Sequence, residues 1–536
     1  MSLIVFVVIN SNFLIVSQSK SFFSSIGEVC DITPYPTTCY HSLTPLINQK
    51  YKYDSNVYYE LSINASMNEL ARVSKDFAEE GTLFQNFENT KEKKLESALE
   101  SCRELLDLAL YNLNWTVPTN NNANLAAKET RENFKTWVNG AGADLETCID
   151  GFDYAPREVR KVVIEKLKKS TRLVSNSLAI ICKIDEYMSE HKERSIKQRS
   201  DWPPTWLSTK DRAVLGKSNP RVKLKPNVVV AADGTGNCKT ISAALKVVPQ
   251  NSNKRFVIYV KKGVYYENVR VDKTKWNVMM FGDGMDNTIV SGNLNAASGI
   301  TTFFSATFAV YGKGFIAQDM RFQNTAGPAK GQAVALLSTA DQSVFYRCRI
   351  DGYQDTLYTH SMRQFYRDCK IYGTIDFIFG DSSVVIQNSN ILVKKSLPRQ
   401  KINVITAQGK SGMHGVSGIS IQNCNVLPAG NLSGVKTYLG RPWKDYSTTI
   451  FMESMLERLI DPQGWHPWTG NVVPPDTIYY AEYNNRGPGA VTKNRVNWKG
   501  VRTNVTKKEA SRFTVTSFIN GVGWIPTTGV PFQPDL

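Results

Sequence analysis

Two aspartates occupy matched positions in neighbouring segments of the sequence. Asp355 lies in "DGYQDTLYTH" (351–360) and Asp376 in "YGTIDFIFG" (372–380), and the Cys, Ile and Gly residues around them repeat with the same spacing of 21 residues. Strand-like runs such as "SVFY" and "RQFY" accompany the repeat. Such a period is typical of one coil of a parallel β-solenoid, in which residues one period apart stack on each other.

Stacking would give the two carboxyl groups complementary roles. Strands of neighbouring coils lie about 4.8 Å apart, and two carboxyl groups that close cannot both ionise freely. One then keeps its proton and can act as an acid, while the other stays ionised and can act as a base or nucleophile. The alternative is structural, because Asp is common in turns.

Polar residues suited to holding negative charge lie around the aspartates. Gln354 directly precedes Asp355, and Gln332 lies about one coil earlier. Their amide groups could form an oxyanion hole, although Gln in a solenoid also makes structural ladders. Arg441 could bind a carboxylate through a bidentate pair, and Trp443 could pack against a sugar ring. The alternative for this last pair is a turn with a packed aromatic.

The residue pattern changes along the chain and divides it into three segments. Within 90–115 apolar residues recur at steps of four and three, which predicts an amphipathic helix. With two further helical patterns it predicts an all-α antiparallel bundle over 25–187. Residues 188–222 are polar and basic and are predicted to be a linker with a candidate processing site. Over 223–536, short β-branched runs and Gly/Asn turns predict an all-β parallel β-helix.

The N-terminal segment and four sequons indicate the secretory route. Residues 1–24 contain an apolar run followed by small and polar residues, which predicts a signal peptide or, alternatively, an uncleaved anchor. The sequons at Asn64, Asn114, Asn431 and Asn504 are candidate glycosylation sites. We therefore expect a secreted protein.

The strong basic charge indicates a polyanionic partner. The formal net charge is +16 at pH 7, which favours nucleic acid, anionic lipid or an acidic polysaccharide. No cluster of Lys and Arg interleaved with aromatic residues resembles a nucleic-acid module. An acidic polymer of the cell wall or matrix is therefore the favoured partner. A basic surface that serves only solubility is the alternative.

Nine cysteines fit an oxidising compartment and leave one unpaired. Three pairs are predicted from position: two within the helical region, and one formed by residues stacked on adjacent coils. These pairs are Cys30 with Cys39, Cys102 with Cys148, and Cys348 with Cys369. The remaining Cys182, Cys238 and Cys424 have no assigned pairing. No two of these three have the spacing of zinc ligands, so no metal site is expected.

Eight short motifs spread over both regions carry a family resemblance. They are "CDITPYPTTC" (30–39), "GVYYENV" (263–269), "TTFFSATFAV" (301–310), "FQNTAG" (322–327), "GQAVAL" (331–336), "YQDTLY" (353–358), "DFIFG" (376–380) and "LGRPW" (439–443). Together they resemble plant pectin methylesterases that carry an N-terminal inhibitor-like domain. The resemblance extends from about residue 26 to the end of the chain.

The resemblance implies a fold and a reaction. The second domain would be a right-handed parallel β-helix that hydrolyses methyl esters of galacturonate in pectin. By the same resemblance, Asp376 is the nucleophile that attacks the ester carbonyl. Asp355 protonates the leaving methanol and then activates water. Gln332 and Gln354 match the pair that stabilises the oxyanion.

The resemblance also implies substrate contacts and partners. Arg441 matches a group that orients the nucleophile, and Trp443 and Thr302 match substrate contacts. No metal or cofactor is required, because a carboxylate nucleophile, a neutral acid and amide donors suffice. The implied partners are methyl-esterified homogalacturonan in the cell wall, the inhibitor-like domain in cis or separate inhibitor proteins, and a processing protease.

Two alternative functions remain open at this point. Paired carboxylates also suit a retaining glycoside hydrolase that cuts the pectin backbone. That alternative leaves the two glutamines unexplained, and Phe377 and Phe379 beside Asp376 suit a methyl-ester pocket better. The other alternative is a non-catalytic regulator of esterases, in which the helical domain binds an esterase domain in cis or in trans.

Overall fold

The computed structural model describes residue 23 and residues 25–47, 55–79, 93–118, 124–193, 225–395 and 397–536. The predicted signal segment, apart from Phe23, and the linker from residue 194 onwards lie outside the described residues. The described N-terminal helices are α1 (Ile26–Asp31), α2 (Pro36–Leu43), α3 (Ser55–Ala78), α4 (Lys93–Asn114), α5 (Lys128–Asp150) and α6 (Arg157–Glu193).

The N-terminal helices form a bundle. Helix α4 confirms the helix predicted within 90–115, since Leu95, Cys102 and Leu106 lie on its buried face. It packs against α5, which packs against α6, and α3 contacts both α4 and α6. Helix α6 continues to Glu193, into the stretch predicted as linker. Among the described helices, none has the length and apolar character needed to cross a membrane.

The rest of the chain is built almost entirely from short strands. Those before residue 330 are β1 (Val228–Val230), β2 (Phe256–Val260), β3 (Gly263–Tyr266), β4 (Val269–Val271), β5 (Val278–Phe281), β6 (Thr288–Gly292), β7 (Phe308–Val310), β8 (Ile316–Gln318) and β9 (Arg321–Asn324). Those up to residue 395 are β10 (Leu336–Ser338), β11 (Ser343–Tyr346), β12 (Arg349–Asp351), β13 (Leu357–Thr359), β14 (Arg363–Arg367), β15 (Lys370–Gly373), β16 (Ile378–Gly380), β17 (Ser383–Gln387) and β18 (Asn390–Val393).

The last coils complete the strand set. Their strands are β19 (Ile402–Gln408), β20 (Gly418–Gln422), β21 (Asn425–Pro428), β22 (Lys436–Gly440), β23 (Thr448–Met452), β24 (Met455–Leu456), β25 (Tyr479–Tyr483) and β26 (Val501–Arg502). Short helices accompany them: α7 (Ile241–Lys246) near the start, and α8 (Lys507–Ala510) and α9 (Val515–Phe518) near the end.

The strands wind into three parallel sheets. The first sheet has the order β1-β2-β5-β8-β11-β14-β17-β20-β23-β25-β26, the second β22-β19-β16-β13-β10-β7-β4, and the third β24-β21-β18-β15-β12-β9-β6-β3. In the second sheet Leu336 pairs with Leu357 and Leu357 with Ile378, which confirms the 21-residue period. All three side chains are buried in the interior of the coils. The predicted parallel β-helix is confirmed.

The helical bundle packs on the outer face of the second sheet. Side chains that point out of this sheet, including Leu337, Tyr358 and Phe379, are buried in one apolar cluster with residues of the bundle. The Oγ1 of Thr147 on α5 contacts the Nε2 of His360 at 2.8 Å. Both regions therefore share one continuous core at this face.

Two of the three predicted disulfides form and the third does not. Cys30–Cys39 and Cys102–Cys148 are bonded within the bundle, as predicted. The predicted Cys348–Cys369 bond is wrong, because both thiols are free and buried. Cys348 donates to the carbonyl of Ala317 at 3.5 Å and Cys369 to that of Phe345 at 3.3 Å.

The physical reason is the direction of the two side chains. Residues at matched positions on adjacent coils point the same way and stay about one strand spacing, about 4.8 Å, apart. A disulfide requires facing Cβ atoms about 3.8 Å apart. In the β-helix interior each thiol instead donates to a carbonyl of the preceding coil.

We expect five thiols per chain in a thiol titration of the denatured, unreduced protein. Nine cysteines are present, and the two disulfides leave five of them free. The count is read from the absorbance of a disulfide reagent in denaturant, with the fully reduced chain as control. A count of three would contradict the structure and restore the predicted Cys348–Cys369 bond.

Candidate active site

The two aspartates lie in equivalent turns of successive coils. Asp355 is in the turn between β12 and β13, and Asp376 is in the turn between β15 and β16, one coil later. The N–H of Asp355 donates to the carbonyl of Ile375 at 3.0 Å, which holds the two turns in register. Both aspartates are buried and have left-handed backbones, with φ of 59° and 51°. Other turn residues of the coils, such as Asp319 and Asn388, share this conformation, so it belongs to the turns of the β-helix.

The surroundings of the two carboxyl groups differ in charge. Burial raises the pKa of Asp355 well above its usual range, and the nearby charge of Asp376 raises it further. Burial also raises the pKa of Asp376, but Arg441 opposes that effect. The Nε and Nη2 atoms of Arg441 donate to the two carboxylate oxygens of Asp376 at 2.9 and 2.5 Å. Arg441 therefore makes Asp376 the more acidic of the two carboxyl groups, and Asp355 the one that holds its proton more strongly.

The glutamines and Thr302 line the same cavity as the aspartates. Gln332 precedes β10 and Gln354 precedes Asp355, so the two amides come from adjacent coils. The Nε2 atom of Gln332 donates to the hydroxyl of Tyr154, a residue of the helical region, at 2.7 Å. All of the residues predicted as catalytic or substrate-binding are thus brought together in one cavity.

Aromatic side chains form one wall of the cavity. The ring of Trp443 lies 6.2 Å from that of Phe379 and 6.4 Å from that of Trp468. Arg441 stacks over Trp468 at 4.3 Å. Gly409 permits this arrangement, because a Cβ there would lie 2.8 Å from the Cε3 atom of Trp443. The wall is an apolar surface suited to a sugar ring.

One aromatic residue that the sequence predicted at the cavity lies elsewhere, and one that lines the cavity was not predicted. Phe377, expected beside the ester, is fully buried inside the β-helix, whereas Phe379 does line the cavity. The difference follows from strand alternation, because consecutive residues face opposite sides. Trp468 was missed, although the second Trp of "GWHPW" (464–468) was a visible signal.

The helical region supplies the roof of the cavity. The cavity has a volume of about 200 Å³. Its lining includes six side chains from the helical region, none of which the sequence indicated: Lys94, Ser101, Thr147, Asp150, Asp153 and Tyr154. Their position depends on how the bundle docks, which no local motif encodes.

The described residues contain no cluster of metal-binding side chains. No group of three His, Cys, Asp or Glu side chains in this part of the chain is arranged to hold a metal ion. His466 lies near enough to Asp376 to lower the pKa of that carboxyl slightly, and its Nδ1 contacts the carbonyl oxygen of Pro467 at 2.7 Å. The polar groups available for catalysis in the cavity are the carboxyls of the two aspartates, the amides of the two glutamines and the guanidinium of Arg441.

These groups define a class: a hydrolase with two carboxyl groups on a parallel β-helix. Comparisons with known proteins agree. The family model "Pectinesterase" matches residues 227–522, and the model "Plant invertase/pectin methylesterase inhibitor" matches residues 24–180.

Individual relatives match both regions. A probable pectinesterase/pectinesterase inhibitor of Arabidopsis thaliana is 44% identical over 524 residues, covering 96% of this chain and 88% of its own. Pectinesterase 3 of Phaseolus vulgaris is 43% identical over 519 residues, covering 96% and 87%. The solved pectin methylesterase from carrot is 48% identical with a TM-score of 0.57, covering 60% of this chain and all of its own. The chain therefore belongs to the pectinesterase family of carboxylic ester hydrolases and carries an inhibitor-family domain at its N-terminus.

Proposed function

We propose that this chain hydrolyses the methyl esters of galacturonate in pectin, releasing methanol and leaving carboxylates on the polymer. The observation that carries the proposal is the buried pair Asp355 and Asp376, with Arg441 bound to only one of them. This asymmetry provides one protonated and one ionised carboxyl, as a two-step ester hydrolysis requires.

The first step forms an acyl-enzyme. A carboxylate oxygen of Asp376 attacks the ester carbonyl carbon, and the resulting oxyanion accepts hydrogen bonds from the amides of Gln332 and Gln354. The tetrahedral intermediate collapses as the C–O bond to the methoxy group breaks. Asp355 donates its proton to the leaving oxygen, so methanol departs and an anhydride links Asp376 to the sugar.

The second step returns the site to its initial state. Asp355, now ionised, accepts a proton from a water molecule that attacks the acyl carbon. Collapse of the second tetrahedral intermediate releases the carboxylate of Asp376 and the galacturonate product. The net reaction consumes one ester and one water and yields one acid and one methanol. Arg441 fixes the oxygens of Asp376, and Trp443 and Thr302 contact the sugar.

The experiment that tests this reaction follows a methyl-esterified galacturonate oligomer by mass spectrometry. We expect each turnover to replace one methyl ester by a carboxyl group without changing the number of sugar units. The proposal would be overturned if the oligomer became shorter. It would also be overturned if a folded chain whose helical bundle has been detached from the cavity left the oligomer unchanged.

We further propose that the helical region inhibits the site in cis. The hydroxyl of Tyr154 accepts a hydrogen bond from the amide of Gln332, one of the two oxyanion donors, and so competes with the substrate for that amide. Asp150 of α5 pairs with Lys444 at 2.7 Å, next to Trp443. The substrate is a long polymer, whereas the cavity holds only about 200 Å³ while the bundle is docked. Docking therefore blocks both the chemistry and the polymer path.

Gly140→Phe is expected to undock the bundle and raise methanol release at least about tenfold. Gly140 of α5 faces Met362, which is buried, and even a Cβ there would lie 2.4 Å from Cε and 3.0 Å from Sδ of Met362. A shift of the flexible Met362 side chain could make room for a Cβ but not for a Phe ring, so we expect Phe to separate the two regions. Initial rates are measured on pectin, and small-angle scattering reports undocking.

The matched control is Gly142→Ala on the same helix. A Cβ there would meet only Cγ1 of Val174, at an ordinary 3.9 Å, so this variant should stay docked and keep the parent rate. If Gly140→Phe expands the chain without raising the rate, the inhibitory role is wrong and a role in folding remains for the bundle.

The cellular setting proposed for this reaction is the cell wall after secretion. Asn114, Asn431 and Asn504 are exposed and Asn64 is half-buried, so glycan attachment at these sequons stays a prediction.

We also propose that a protease cuts the chain between 188 and 222, where several Arg residues lie, and that separate inhibitor proteins could take the place of the bundle. No nucleic-acid partner is proposed. Domain limits of 25–187 and 223–536 are proposed for the two units.

A further inference from the structure

The three sheets of the β-helix differ in what covers their outer faces. The first sheet is covered by the C-terminal segment, whose Val515, Ile519 and Trp524 share an apolar cluster with residues of that sheet. The second sheet is covered by the helical bundle. In the described part of the chain, no apolar cluster covers the outer face of the third sheet. That face is therefore open to a partner while the bundle is docked.

Three cations form a row on the outer face of the third sheet. Arg321, Arg349 and Lys370 occupy paired positions on β9, β12 and β15. The residue that follows each of them is buried in the core of the β-helix, so the three side chains point outwards. Because strands of neighbouring coils lie about 4.8 Å apart, the row places three positive charges close together.

The acids of this face do not neutralise its cations. The buried carboxylate of Asp351 binds three cations at once, and these are Arg321, Arg349 and Lys394. A second acid, Asp286, lies 3.2 Å from Arg349. Lys370 has no ion pair with a described residue. Four cations thus meet two carboxylates, and the face keeps an excess of positive charge.

The turn after β18 extends this positive charge. Residues 394–401 contain four cations and no acid. The first of them, Lys394, connects the turn to the row through its contact with Asp351. The other three are exposed, and they are Lys395, Arg399 and Lys401. Over the longer stretch 382–444 the sequence has eight Lys and Arg and no Asp or Glu. We call the row and this turn together the basic face.

We propose that the basic face binds a run of unesterified galacturonate, outside the active-site cavity. None of its residues lines that cavity. A polymer with one carboxylate on each sugar matches a row of closely spaced cations. The inference rests on the proposed function, because this polymer is the product of the proposed reaction. Since the bundle covers a different sheet, the docked chain binds the polymer while its active site is still closed.

The aromatic residues among these cations favour a polysaccharide over a single-stranded nucleic acid. Single-stranded nucleic acids bind by stacking their bases on aromatic rings. Here Arg349 lies over the ring of Tyr372 at 4.5 Å, and Lys394 lies over that of Tyr353 at 4.2 Å. Both rings are therefore occupied by cations of the face itself, and the partner is bound through charge.

The test measures the binding of unesterified polygalacturonate to the full parent chain, whose docked bundle closes the cavity, by isothermal titration calorimetry at low salt. A chain with Lys370→Gln, Lys395→Gln and Lys401→Gln is expected to bind at least about tenfold more weakly, because charge-assisted contacts are lost. None of these lysines has an ion pair with a described residue, so their loss leaves no carboxylate unpaired. Binding by the parent should also weaken as salt is added.

The matched control removes the same charge from the bundle. Lys161, Lys168 and Lys169 are exposed on α6, and replacing all three by Gln should keep the parent affinity. An equal loss in both triple variants, or no loss in the first, would overturn the basic face as a binding site. If a DNA duplex bound as tightly as the polymer and lost as much affinity in the first variant, the polysaccharide would be wrong as the specific partner.

A failure of the proposed function would give a different result. It would appear as a lack of methanol release by the undocked Gly140→Phe chain, which the binding measurement on the docked chain does not involve. The three lysine substitutions of the basic face should leave methanol release from a short esterified oligomer by that undocked chain near its parent rate. A large loss there would place these lysines in the active site and overturn a separate basic face.

Discussion

Asp376→Asn is expected to slow methanol release from pectin by about 10⁴-fold or more, as nucleophile removal does in other hydrolases. The amide has the shape of the carboxylate but no charge, so it cannot attack the ester carbon. The turn should persist, because Asn tolerates a left-handed backbone, which Asp376 has at φ 51°. The measurement is kcat in the Gly140→Phe background, with circular dichroism to verify folding.

Asp351→Asn is the matched control for this substitution. Asp351 is a buried aspartate of the same coil as Asp355 and binds Arg321, Arg349 and Lys394, yet it does not line the cavity. Losing this charge should lower thermal stability but leave kcat within a few fold of the parent value. Appreciable methanol release by folded Asp376→Asn would remove Asp376 from the nucleophile role.

Gln354→Ala is expected to lower kcat by about 10²–10³-fold, the usual effect of losing one oxyanion donor. The amide acts only when charge develops on the ester oxygen, so KM should change much less than kcat. Steady-state methanol release at several pectin concentrations separates the two parameters. The expected pattern is specific to stabilisation of the transition state.

A structural glutamine provides the comparison. Gln323 on β9 donates to Oγ of Ser291 at 2.9 Å on the third sheet, outside the cavity lining. Gln323→Ala should leave kcat near the parent value. If Gln354→Ala lowers kcat less than threefold, Gln354 is a structural residue like Gln323. Stabilisation of the oxyanion would then depend on Gln332.

The sequence was most informative where chemistry and periodicity coincided. The 21-residue repeat predicted the stacking of Asp355 and Asp376, because strand register in a solenoid follows directly from chain spacing. The same repeat led to the wrong disulfide between Cys348 and Cys369. Spacing determines which residues stack, but the direction of their side chains decides whether two sulfurs can meet.

The roof of the active site could not be predicted from the sequence. Tyr154 and Asp150 lie in a helical region whose own pattern indicates only a bundle. Their contacts with Gln332 and Lys444 depend on the fit between two folded surfaces. That fit relies on features such as Gly140, whose missing side chain makes room for Met362. Such complementarity appears only once both regions have folded.

The most direct measurement of the central claim follows methanol and new reducing ends together, in one sample of highly esterified pectin treated with the Gly140→Phe chain. Ester hydrolysis by Asp355 and Asp376 predicts methanol that accumulates without new reducing ends and that disappears in Asp376→Asn. Reducing ends that accumulate without methanol would contradict the account. The paired carboxyls would then be cutting the polymer backbone as a glycoside hydrolase does.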